Sequence, residues 1–146
     1  MINRLFKVKH GRRFQMIDHL GIRVIDYAKA HGFYLSVLAP LDISIVMEVT
    51  AEQTGNYPHT GFGNNGKPFF WISGGEMKTP NTHGAHIAFA AQSRAAVDAF
   101  YHAAIAAGAT DNGAPGLRPH YHENYYGAFV IDADGNNVEA VCHTPA

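Results

Sequence analysis

Apolar positions recur at helical spacing in two stretches of the chain. The first follows Asp26, a good N-cap, with Ala30, Phe33, Tyr34, Val37 and Leu38, and Pro40 stops it. The second follows Ser93, with Val97, Phe100, Tyr101, Ala104 and Ile105, and Gly108 closes it. Both lists coincide at an offset of 67 residues, from Asp26 against Ser93 through Leu38 against Ile105. Self-similarity at a fixed offset marks a duplicated unit. Strand patterns flank both helices. Residues 17–24 and 85–90 precede them; 43–49 and 68–73 follow the first; a piece near Thr110, then 125–132 and 137–142, follow the second. Asp134-Gly135 is a hairpin turn signal. Each half reads β-α-β-β-β, with modules near 16–76 and 83–146 and long loops expected at 52–67 and 112–124.

Composition agrees with a globular α+β domain. The 146 residues are 47% apolar and 16% charged, with a formal charge of −1. No global field attracts nucleic acid or a membrane surface, and no apolar run is long enough to span a bilayer. The single cysteine, Cys142, excludes an internal disulfide. Residues 1–15 hold five basic side chains and no acid, and they lack the apolar core of a secretory signal. They read as a flexible extension, with Met16 opening the domain; a cytoplasmic location is expected.

Ten histidines against eleven Lys and Arg are the unusual feature. The offset that superposes the helices also carries His19 onto His86. A lone strand histidine is more often a packed residue than a ligand, but matched imidazoles in two related halves point to a shared site. Alternation in the last strand puts Asn137, Glu139, Val141 and His143 on one face. In an edge strand Glu139 would sit in water. Its apolar flanks favour burial, and a buried carboxylate needs a cation or several donors. His19, His86 and Glu139 then make a two-histidine, one-carboxylate set with open positions.

These residues resemble the vicinal oxygen chelate superfamily, which includes glyoxalase I, extradiol dioxygenases, fosfomycin-resistance enzymes and bleomycin-resistance proteins. The resemblance covers residues 16–143. It rests on Asp18-His19-Leu20-Gly21-Ile22-Arg23-Val24, Phe33-Tyr34, Gly84-Ala85-His86-Ile87-Ala88-Phe89, and the run from Tyr126 through Asp132-Ala133-Asp134-Gly135-Asn136 to Glu139. It implies paired βαβββ modules forming a half-open barrel around one divalent metal ion (Fe, Mn, Ni or Zn). The family's ligand positions fall on His19, His86 and Glu139, and its open barrels usually pair as homodimers. Glyoxalase I also uses a fourth-strand glutamate. Symmetry places it near position 72, or at 71 with a one-residue slip, where this chain has Trp71-Ile72-Ser73. The missing carboxylate disfavours glyoxalase proton transfer, and three protein ligands suit dioxygenase or fosfomycin-type chemistry.

Other groups join the expected site. Tyr126, read as the inward member of Tyr125-Tyr126, and His122 are candidates for proton transfer. Trp71 and Phe62 could line an apolar pocket, with Tyr121 in the loop beside it. Arg118 could grip a substrate carboxylate through its fork. The expectation is a metal-dependent lyase or dioxygenase acting on a small molecule with two neighbouring oxygens. The rival is a metal-free protein that sequesters a drug, like the bleomycin-resistance branch.

Overall fold

A computed structural model describes residues 17–76 and 84–146. The N-terminal extension and the start at Met16 lie outside the described residues. The first helix, α1 (Tyr27–Leu38), begins where the Asp26 side chain accepts from the Lys29 amide at 3.0 Å. It buries Ala30, Tyr34, Val37 and Leu38, a stripe at helical spacing, and a 3-10 turn (Ala39–Leu41) containing Pro40 ends it. A one-turn helix, α2 (Ala51–Thr54), follows later, capped by Thr50. The second long helix, α3 (Arg94–Ala106), starts with Ser93 accepting from the Ala96 amide and buries Val97, Phe100 and Ala104.

Two four-stranded mixed sheets carry these helices. The first comprises β1 (Leu20–Arg23), β2 (Ser44–Val49), β3 (His59–Asn64) and β4 (Lys67–Ser73), in the order β1-β4-β3-β2. The second comprises β5 (His86–Ala90), β6 (Thr110–Leu117), β7 (Tyr126–Ile131) and β8 (Asn137–Cys142), in the order β5-β8-β7-β6. In each, the first strand runs parallel to the last and the remaining pairs are antiparallel. The duplicated βαβββ plan is therefore present in full. Among the described residues no strand of one sheet is hydrogen-bonded to the other, so a single chain presents two separate sheets and not a closed barrel.

The helices cover one face of both sheets. Tyr34, Phe62, Phe70 and Ile72 pack the first half, and Phe89, Phe100, Val130 and Val138 the second. Phe70 meets Phe89 edge to face at 5.2 Å, joining the halves into one core. The β7–β8 turn is fixed by polar contacts. Asp132 accepts from the Asp134 and Asn136 amides and from the buried Tyr34 hydroxyl at 2.6 Å.

One strand and most of another occupy segments expected to be long loops, the second beginning at the extended piece expected near Thr110. β3 lies inside 52–67 and β6 extends through 112–117. Both are glycine-rich and carry bulges, which hid them from alternation. A Cβ on Gly63 would stand 1.9 Å from the Lys67 carbonyl oxygen, so the β3–β4 approach admits only glycine.

Candidate functional site

The sheet faces turned away from the helices hold most of the candidate site residues. On the second sheet, Glu139 is 1% exposed although it lies on that open face. Gly127 makes room for it, since a Cβ there would lie 3.2 Å from Glu139 Oε1. The Tyr125 hydroxyl donates to Oε1, while Oε2 faces His86 Nε2 at 3.0 Å. His86 Nδ1 is 3.2 Å from the Asn137 carbonyl. A carbonyl only accepts, so Nδ1 carries the hydrogen. The neutral ring would then aim a lone pair at a carboxylate oxygen. That arrangement requires a positive charge between the two atoms, either a proton or a metal cation. The donor set thus fits a divalent ion on the His86 and Glu139 side.

His19 does not join them within the chain. It sits just before β1, 60% exposed, with Nδ1 2.9 Å from Asp18 Oδ1, and Asp18 is also held by Lys67. Those two partners hold the Asp18 carboxyl below the usual range, the Lys67 bond first and His19 second. Among the described residues no three His, Cys, Asp or Glu side chains come together as a metal centre.

The strand registers make the internal symmetry concrete. Gly21 pairs with Trp71 as Ala88 pairs with Glu139. Continued two residues back, the same registers set His19 level with Phe69 as His86 is level with Asn137. Trp71 is thus the counterpart of Glu139, and the one-residue slip is real. Its indole lies against Gly61, where a Cβ would meet ring atoms at 2.8 Å. An aromatic side chain occupies the counterpart of the Glu139 position.

The remaining candidates divide. Tyr126 lies on the helix side, where its hydroxyl donates to Asp98 of α3 at 2.7 Å and Arg94 stands over its ring. Tyr125 takes the inward place that the alternation pattern assigned to Tyr126. Its hydroxyl proton is held well beyond the ordinary tyrosine range, first by burial and then by the bond to Glu139. The difference lies in the alternation phase: Tyr125 precedes β7, and only the register with β8 shows which side it faces. Phe62 is fully buried against Tyr34 and Phe70, in the core and not in a pocket. His122 Nε2 lies 2.6 Å from His143 Nδ1, and both rings pack on Tyr125. Tyr121 is exposed, with its ring 4.8 Å from that of Tyr125. Arg118 lies over Phe129, which pairs across the strands with Glu139. Sequence reasoning missed Tyr125 and Phe129. The second lies ten positions before Glu139 in the adjoining hairpin strand, a signal that pairing arithmetic could have used.

Comparison with known proteins gives the same class. The family model described as the glyoxalase/bleomycin resistance protein/dioxygenase superfamily matches residues 16–140, and the chain belongs to that superfamily. A glyoxalase/bleomycin resistance protein from Albidiferax ferrireducens is 30% identical, with a TM-score of 0.71 over 88% of this chain and 99% of its own. Two more distant structures share the fold. A family enzyme from Burkholderia phytofirmans is 20% identical, with a TM-score of 0.63 over 88% of this chain and 98% of its own. A variant of the fosfomycin resistance protein FosX from Listeria monocytogenes, complexed with Mn(II) and 1S,2S-dihydroxypropylphosphonic acid, is 19% identical. Its TM-score is 0.62 over 90% of this chain and 94% of its own. No curated protein matches the sequence. No helix among the described residues is long and apolar enough to cross a membrane.

Proposed function

We propose that the protein is a divalent-metal-dependent enzyme acting on a small substrate through two neighbouring oxygens. The facing pair of His86 Nε2 and Glu139 Oε2, a nitrogen and a buried oxygen aimed at each other 3.0 Å apart where a metal ion can replace a shared proton, carries this reading. His86 and Glu139 would hold the ion on one side. His19 of a second copy would supply the third donor, because within the chain His19 stands apart. A homodimer follows from the same reading. When bound, the ion supplies Lewis-acid polarisation of the chelated oxygens.

The chain's own residues do the rest. Tyr125 keeps its proton, so it fixes Oε1 of Glu139 as an acceptor and leaves Oε2 directed at the site. The His122–His143 pair braces the Tyr125 ring and offers exchangeable protons at the rim. Trp71 stands at the counterpart of Glu139, so no second carboxylate acts as a base there, which favours dioxygenase or fosfomycin-type reactions over glyoxalase isomerisation.

Titration of metal-free protein with Mn(II), followed by calorimetry, tests the assignment. About one ion per chain is expected, with affinity reduced about 100-fold or more in His86→Ala and in Glu139→Gln. Equal binding by the variants would remove the basis of the proposal. Ligand affinity that survives His19→Ala without any turnover would favour the metal-free sequestering reading.

A further inference from the structure

We infer that the site accepts a planar organic acid, with adjacent oxygens at the His86–Glu139 end, a flat ring on Phe129 and a carboxylate at Arg118. This rests on the proposed function and adds the substrate class. The strand order β5-β8-β7-β6, with Arg118 just past the end of β6, brings His86, Glu139, Phe129 and Arg118 together on one side of the sheet. The His86 and Phe129 rings are nearly parallel, at 22° with centroids 6.3 Å apart. The Arg118 guanidinium carbon lies 5.6 Å from the same Phe129 centroid. One aromatic side chain, Phe129, therefore stands between the chelating end and a cation.

The cation is held in a shaped seat. Arg118 Nη2 donates to the Ala114 carbonyl at 2.7 Å, and Nη1 to that of Leu117 at 3.3 Å. A Cβ on Gly116 would come within 3.0 Å of Nη1, and one on Gly113, whose φ is +146°, within 3.3 Å of Nη2. β6 has given up side chains where the guanidinium lies against it. Among the described residues no carboxylate stands within ion-pair distance of Arg118. Two of its five N–H groups bind backbone, and the others are available to a ligand. A carboxylate matches that fork, and the flat faces of Phe129, Tyr125 and Tyr121 favour a planar body over a branched one.

Two pairs of probes read the seat. Metal-free protein is titrated with benzoate and with benzamide, which differ at the charged group. Mn(II)-loaded protein is titrated with protocatechuate and with catechol. In each pair the acid is expected to bind about tenfold tighter, equivalent to one ion-assisted contact. The preference is expected to vanish in R118Q and to survive in part in R118K, which keeps the charge without the fork. A merely structural Arg118 would change thermal stability and leave the preference alone. No preference in either pair, or the same preference in R118Q as in the parent protein, overturns the inference. Mn(II) binding that ignores His86→Ala overturns the proposed function instead, and the benzoate–benzamide pair then judges Arg118 by itself.

Discussion

Single side chains here are defined by what faces them. Tyr125 and Tyr126 are adjacent and chemically identical, yet one meets Glu139 and the other Asp98. Tyr34 shows the same dependence. It is 1% exposed, donates to Asp132, and its proton is held well above the ordinary value, first by burial and then by the Asp132 charge. The unfolded chain releases that proton near pH 10, whereas the folded chain retains it. Its stabilising contribution is complete below about pH 10 and declines as pH rises further. Urea unfolding between about pH 8 and 11 should show stability falling on the alkaline side, less steeply in Tyr34→Phe. An identical slope in the variant would mean that the folded state does not hold this proton.

At the scale of elements, the helices were legible, β6 only at its start near Thr110, and β3 not at all. Asp26 and Ser93 cap α1 and α3 as their sequence positions imply, because capping is a local hydrogen bond. β3 and β6 owe their extended form to neighbours, and their glycines serve close approaches that local pattern does not encode. Two glycines should respond in opposite directions. Gly32 is exposed in α1, and a Cβ added there would meet nothing within 4 Å, so Gly32→Ala should stabilise by about 0.5–1 kcal/mol. Gly63→Ala should cost about 3 kcal/mol or more, because backbone atoms fill the space. Chemical denaturation of the two variants beside the parent protein measures both signs. A tolerated Gly63→Ala would refute the tight β3–β4 approach.

At the scale of the molecule, the proposed site draws on both sheets, whose candidate ligands one chain leaves apart. His19 and Trp71 belong to the first sheet's side, and His86, Glu139 and Phe129 to the second. If a second copy completes the site, mixed dimers of His19→Ala and His86→Ala contain one intact set and one doubly damaged set. Neither variant alone should bind Mn(II) tightly. Co-refolding them should restore about a quarter of the parental tight sites, half a site per chain in the half of dimers that are mixed. Restoration is counted by calorimetry on the mixture. No recovery, with dimers present by sedimentation, would place the third donor elsewhere.

The residue string alone determined the duplicated plan, both long helices, and the matched histidines with their distant glutamate. Those depend on local hydrogen bonding and on periodicity, which are written in order along the chain. Only the tertiary structure decided that Glu139 is buried beside His86, that Tyr125 and not Tyr126 attends it, that Trp71 stands in its mirror place, and that His19 remains separate. Those outcomes follow from strand register and sheet placement. A shift of one residue turns every side chain to the opposite face, and nothing local to the strand sets that phase.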